Sequence, residues 1–394
     1  MSEAGTVAAV TPEADGRTKR RRGLRILFWL LIAGCIVAGA LFAMYLVKPQ
    51  ALPDLIPLPG SVYVKPHYLY SIRNVDAPVG VALSPDGGRL YVAESDGQRE
   101  IKILDPTGQK VSSFTIPGTA VGSRAPVYIA VSPTGRVFVT DRVQSAIYVF
   151  DANGKFIDEI IAPSMTMTGY LAQKLGALPP GLSFTYDLVT RHVLYQVPGE
   201  DAKSLPAPQP AWNPLGVRFD KAGDLLVTDV ASGVQRVHVI SQNALGAPSW
   251  QNFNPTDTAF GGEGSAAGQF TFPNVAISDS HGRVYVSDGN NGRISVWDGK
   301  GKFVSEFGGG GGGAVGLPRG MWIDAKDRLY VVDAVEQNVK VFDVSGTEPK
   351  FLAVFGGFGL EKGKFNFPND IVVDQSGKLF IADRANNRIQ VWAN

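Results

Sequence analysis

From residue 66 to the C-terminus, apolar residues fall in short runs of three to five, broken by clusters of Pro, Asp, Ser and Gly. Runs this short, rich in β-branched and aromatic residues and bounded by turn formers, predict strands rather than helices. The runs repeat. Six times a proline opens an apolar strand, and an acidic residue closes the next strand about fifteen residues later: Pro78/Glu94, Pro126/Asp141, Pro214/Asp229, Pro273/Asp288, Pro318/Asp333 and Pro368/Asp383. The separation is 15 in five pairs and 16 in the first, where Pro85-Asp86-Gly87-Gly88 lengthens the turn. A third strand follows, as in Arg388-Ile389-Gln390-Val391-Trp392, and then a fourth, as in Phe303-Val304-Ser305-Glu306-Phe307.

Four antiparallel strands per copy make one blade, and a repeated blade buries its faces only against its neighbours. The fold expected is all-β, a six-bladed β-propeller. The sixth unit lacks a fourth strand, because the chain stops at Asn394. A spare strand, Tyr68-Leu69-Tyr70-Ser71-Ile72, precedes the first proline. Placing it in the empty slot closes the array end to end and removes an open sheet edge.

Successive prolines lie 48, 88, 59, 45 and 50 residues apart, so an insertion occupies 161–213. It holds a short helical pattern near 165–178, strand patterns at 182–186 and 192–197, and a proline-rich stretch. An elaborated loop on one face is the expectation, with a degenerate seventh blade as the alternative.

The units resemble NHL repeats. The resemblance is carried by Phe367-Pro368-Asn369-Asp370-Ile371-Val372-Val373-Asp374, running on to Phe380-Ile381-Ala382-Asp383-Arg384-Ala385-Asn386-Asn387-Arg388-Ile389-Gln390-Val391-Trp392. The unit from Phe272 to Trp297 is nearly as close, and the copies containing Glu94 and Val234-Gln235-Arg236 are the weakest. The resemblance covers 66–394. It implies a six-bladed propeller and leaves function open, since that family is functionally diverse.

The first 65 residues read differently. Residues 26–47 carry no charge, long enough to cross a bilayer as a helix. Arg17, Lys19, Arg20, Arg21, Arg22 and Arg25 precede this run, and only Lys48 follows it closely. The positive-inside rule then makes 1–25 a cytoplasmic basic tail, 26–47 a transmembrane signal-anchor, 48–65 a proline-rich spacer and 66–394 an extracytoplasmic propeller at the cell membrane. Ile32-Ala33-Gly34-Cys35 also fits a lipoprotein cleavage box, but the run stays apolar beyond Cys35. Cys35 is the single cysteine, which excludes a disulfide within the chain. Formal net charge is +1 over 394 residues. Seven of the 37 basic residues but only three of the 36 acidic ones lie before residue 51, so the remainder is net −3. A near-neutral domain without basic clusters is not expected to bind nucleic acid.

Ligands of propellers sit where innermost strands meet the axis. The residues just after each proline are the candidates there, and their polar members are Tyr128, Asn274, Arg319, Asn369 and Asp370. The strand-end acids Glu94, Asp141, Asp229, Asp288, Asp333 and Asp383 recur once per unit, which fits a turn clamp rather than a catalytic pair. The resemblance extends to a peptidyl-amidating lyase with a histidine-held zinc on its axis. Here none of His67, His192, His238 and His281 follows a repeat proline, so neither metal nor cofactor is expected. Asp288-Gly289-Asn290-Asn291-Gly292 misplaces the glycine of a calcium loop. The glycine run 308–313 lacks the Lys-Ser/Thr of a phosphate loop. The reading is a membrane-anchored scaffold binding a protein, peptide or glycan, with 161–213 as the contact surface. The rival is an envelope lyase or hydrolase using Tyr128, Arg319 and Asp370 at the axial mouth.

Overall fold

The structure, a computed structural model, describes residues 29, 32, 33, 63–161, 165–187, 189–208, 211–245 and 258–393. Nearly all of the anchor and of the spacer, and Cys35, therefore lie outside the described residues. Among the described residues no helix is long and apolar enough to cross a membrane. The chain divides into a unit 1–55 and a unit 56–394.

The second unit is an all-β, propeller-like array containing six four-stranded antiparallel sheets. The first strand of each begins at the repeat proline: Pro78–Leu83, Pro126–Val131, Pro214–Phe219, Pro273–Ser278, Pro318–Ile323 and Pro368–Val373. Each second strand ends at the repeat acid, and each proline lies opposite its own acid in the ladder. Proline has no N–H to give the ladder, so a strand start is where a sheet tolerates it. In every unit the register slips just past the proline, a bulge that lifts the next two residues out of the ladder in five units and Val79 alone in the first.

The first strands lie side by side in chain order, and Pro368–Val373 lies beside Pro78–Leu83. They pack so closely that three of the positions two residues after the proline are glycine. A Cβ on Gly80 would strike the Val127 carbonyl, one on Gly216 the Asn274 carbonyl, and one on Gly320 the Asp370 side chain. The last sheet takes its fourth strand from the other end of the unit. His67–Ile72 pairs antiparallel with Arg388–Ala393, from His67 opposite Ala393 to Ile72 opposite Ile389.

Between sheets the core is repeated as faithfully as the backbone. Trp297 packs among Phe260, Phe270 and Phe303, and Trp392 among Phe355, Phe365 and Tyr68.

Within the insertion, Thr166 caps a helix, Met167–Leu175, that ends at left-handed Gly176. A three-stranded sheet follows: Ser183–Asp187, His192–Gln196 and Lys203–Pro206. The third strand was not expected from its proline-rich sequence. It is an edge strand closing at Pro206, where a missing N–H costs the ladder nothing. Met167, Tyr170, Leu171, Val193 and Tyr195 form a separate small core.

Candidate functional site

The repeat acids sit in backbone cages. Asp141 Oδ2 accepts from Ala125 N at 2.8 Å, and its Oδ1 accepts from Val143 N and Gln144 N at 2.9 Å. The same carboxylate position therefore ties the segment before the proline to the turn after the strand. Four of the acids add a cation: Lys102 at 2.8 Å from Glu94, Arg293 at 2.9 Å from Asp288, Lys340 at 2.8 Å from Asp333 and Arg388 at 2.6 Å from Asp383. Asp229 instead has His238 Nε2 at 3.3 Å. Burial raises the carboxyls of Glu94, Asp141 and Asp288, and the hydrogen bonds to each pull back against it.

At the axis the bulges leave backbone groups to be satisfied by side chains. Tyr128 N donates to Thr140 Oγ1 at 3.0 Å, Gly216 N to Thr228 Oγ1 at 2.8 Å and Val275 N to Ser287 Oγ at 2.8 Å. Each hydroxyl then donates to a carbonyl of the next sheet: Leu215, Asn274 and Arg319 respectively. These stitches were not read from the sequence. The signal available was the hydroxyl residue directly before three of the repeat acids.

The five expected axial residues are placed as follows. Asp370 and Tyr128 are fully buried, and Asn274 and Asn369 nearly so. Asn274 Nδ2 donates to the carbonyls of Phe272 and Pro318, and Asn369 Nδ2 donates to Val79 O at 2.5 Å. Arg319, half-buried, reaches Asn274 Oδ1 at 3.4 Å. Tyr128, Arg319 and Asp370 share one electrostatic neighbourhood, but no hydrogen bond joins them.

The residue that organises this region is Arg218, four positions past its proline, an arginine inside an apolar strand. Its Nη2 donates to Asp370 Oδ1 at 2.5 Å, and its Nη1 to the carbonyls of Ile129 and Val217 at 3.1 and 3.0 Å. Arg218 belongs to the third sheet and Asp370 to the sixth. The guanidinium lies 5.8 Å from the Tyr128 ring and 5.9 Å from the Trp322 ring. Asp370 Oδ2 also accepts from Val81 N at 3.0 Å. Burial raises the Asp370 carboxyl to about 6, and Arg218 opposes the shift only in part. The Tyr128 phenol is pushed up by burial and then by the Asp370 charge.

A cavity of about 220 Å³ does open on the innermost strands, but not beside the post-proline residues. It forms at their C-terminal ends, with Arg218, Phe219, Lys221, Ile277, Ser278 and Trp322 among its walls.

Elsewhere the histidines occupy outer positions. His67 starts the first described strand, His192 is in the insertion, His238 packs on Trp212, and His281 sits in a hairpin turn beside Asp327. No group of three His, Cys, Asp or Glu side chains spaced for a metal occurs among the described residues.

Residues 365–392, spanning the sixth proline, its acid and the strand after it, match the NHL repeat family. The chain carries an NHL repeat. Among solved structures it is similar to virginiamycin B lyase from Staphylococcus aureus, in its selenomethionine form, at TM-score 0.50 and 12% identity. That likeness covers 84% of this chain and 99% of the lyase. A catalytically inactive variant of that lyase with quinupristin gives TM-score 0.50 and 13% identity, covering 84% and 98%. At such identities the likeness shows the fold alone, and it agrees with NHL units in a propeller-like array.

Proposed function

We propose that this protein is a closed six-bladed NHL propeller, held at a cell membrane by 26–47, that works outside the cytoplasm as a binding module for a protein, peptide or glycan. The six four-stranded sheets, the ring of adjacent first strands and the pairing of His67–Ile72 with Arg388–Ala393 support six blades and closure. The basic residues at 17–25 followed by 22 uncharged positions support the topology. Reporter fusions before and after 26–47 test it; equal exposure of both to the cytoplasm would refute a single span.

The observation that carries the binding reading is the way the insertion is mounted. Arg191, in its hairpin turn, donates to Gln144 O and Oε1 at 3.0 and 2.7 Å and to Glu159 Oε1 at 3.1 Å, fastening the insertion to the second sheet. The same hairpin leaves Val189 75% exposed in its turn and Leu194 exposed in its second strand, and Leu178, before the first strand, is exposed too. A rigidly held projection with uncovered apolar side chains is a recognition surface. Co-purification from envelope extracts with the full chain, with Val189→Ser and with 161–213 deleted tests this. The partner should be lost from both variants, and one retained by both would remove the insertion from the interface.

The lyase alternative has less to stand on. The inactive variant of the solved lyase replaces a histidine, whereas all four histidines of this chain lie off the innermost strands.

A further inference from the structure

The axial cavity has no part in the insertion-based reading, and its lining is chemically specific. Asp220 and Lys221 stand at its rim, but Asp220 Oδ1 is committed to Asp224 N within their own turn. Lys221 is exposed and has no ion-pair partner among the described residues. Arg218 contributes the deeper cation. It is only 3% exposed, and its Nε–H, unlike its other paired nitrogens, meets no acceptor. A buried donor without a partner is unfavourable, and the guanidinium that carries it forms part of the cavity wall. Apart from Ser278 the remaining wall is apolar and aromatic, with Trp322, Phe219, Ile277 and Leu83 among its members. At about 220 Å³ the space falls below the roughly 300–1,000 Å³ of drug-sized pockets, which suits a small molecule and not a folded peptide.

We propose that this cavity binds a small organic acid, its carboxylate directed to Arg218 and Lys221 and its apolar body lying against Trp322 and Ile277. The chemistry follows from the lining: Lys221 and Arg218, the latter already paired with Asp370, share the wall with Asp220, an aromatic ring close to the guanidinium and branched aliphatics. A guanidinium already fixed by Asp370 and two carbonyls, with two aromatic rings within 6 Å, is held rigid, so little order need be imposed on binding.

The test titrates the full chain with acetate, butyrate, benzoate and phenylacetate, and with phenylacetamide and phenethylamine as neutral and cationic counterparts of the last. Calorimetry or ligand-observed NMR gives the affinity. At least one aromatic acid is expected to bind saturably and more tightly than acetate, with the amide weaker by about tenfold and the amine absent. Lys221→Gln, a surface change that leaves the fold intact, should weaken acids about two- to fivefold and leave the amide unchanged. Trp322→Leu should weaken acid and amide together. No saturable binding by any acid, equal binding of acid, amide and amine, or acid affinity untouched by both substitutions would each overturn the proposal.

Discussion

Arg218 and Arg191 each reach a buried carboxylate, one at the axis and one at the rim, and the two pairs do different work. Arg218 joins Asp370 across 152 residues of sequence, and both side chains are almost wholly buried, at 3% and 0% exposure. Arg191 joins Glu159 across 32 residues and stays 30% exposed, while Glu159 is at 1%. The axial pair links two innermost strands from distant sheets, so its loss is shared by the whole array. The rim pair attaches one projection to one sheet, so its loss should stay local. Neither pair is there for cheap stability. Burial raises both carboxyls despite the neighbouring arginine, which means that desolvation outweighs the attraction in each.

The sharpest way to break the comparison is to remove one axial partner. Arg218→Met leaves Asp370 buried without its cation and should cost about 3–5 kcal/mol in denaturant unfolding. Arg218→Met with Asp370→Leu removes both charges and should recover most of that loss, as replacement of buried pairs by apolar residues often does. A single variant losing less than about 1 kcal/mol would show that the axis is not a global tie.

A second effect separates the two pairs by pH. The Asp370 carboxyl ionises near 6 in the folded protein and near 3.8 when unfolded. Below the lower value both states hold the proton. Between the two, only the folded state does, so stability is full in acid and falls as pH rises to about 6, by about 3 kcal/mol. Glu159 is shifted in the same direction, chiefly by burial. Asp370→Asn should therefore flatten much of the global slope between pH 4 and 7 without touching the part that Glu159 contributes. A variant keeping the full slope would remove Asp370 as its source.

At the rim, Arg191→Ala removes the cation from Glu159, whose neighbours include Tyr148, Tyr186 and the like-charged Asp158. The expected cost is about 1–3 kcal/mol, confined to the insertion. Hydrogen exchange should quicken across Ser183–Pro206 while exchange in the second strands of the six sheets stays slow. Uniform loss of protection would show that the insertion and the array unfold as one.

The repeat is what made so much legible. Pro-to-acid spacing located all six first strands at their first residue, and the spare strand's sequence named its partner. A periodic pattern reports backbone geometry, because every copy must satisfy the same ladder. It is silent on contacts that each copy makes once. Tyr128, Asn274, Arg319, Asn369 and Asp370 were found because they sit one or two residues past a repeat proline, yet Arg218 and Trp322, which build the cavity wall, sit four past theirs, two beyond the position of Tyr128 and Asp370. The period-2 alternation of a strand returns both positions to the axis. Arg218 was visible as the one charge four residues past a repeat proline, where the other five units have Ala82, Ala130, Ile277, Trp322 and Val372. Lys203–Pro206 was hidden for another reason: proline argues against a strand until an edge position is known.

The smallest effect concerns the hydroxyl stitches, where the repeat supplies its own control. Thr140 Oγ1 accepts from Tyr128 N and donates to Leu215 O, at 3.0 and 2.8 Å in a fully buried setting. Valine keeps the shape but strands both backbone groups, at an expected cost of about 1–2 kcal/mol in urea unfolding. Serine keeps the oxygen and should recover most of it. In the fifth sheet the equivalent residue is Val332, buried and without a hydroxyl, so Val332→Thr brings in a polar group where none is used and should not stabilise. If Thr140→Val costs less than about 0.3 kcal/mol, the bulge at Tyr128 is satisfied by something other than this oxygen. The contact between neighbouring sheets would then owe little to the hydroxyl stitches.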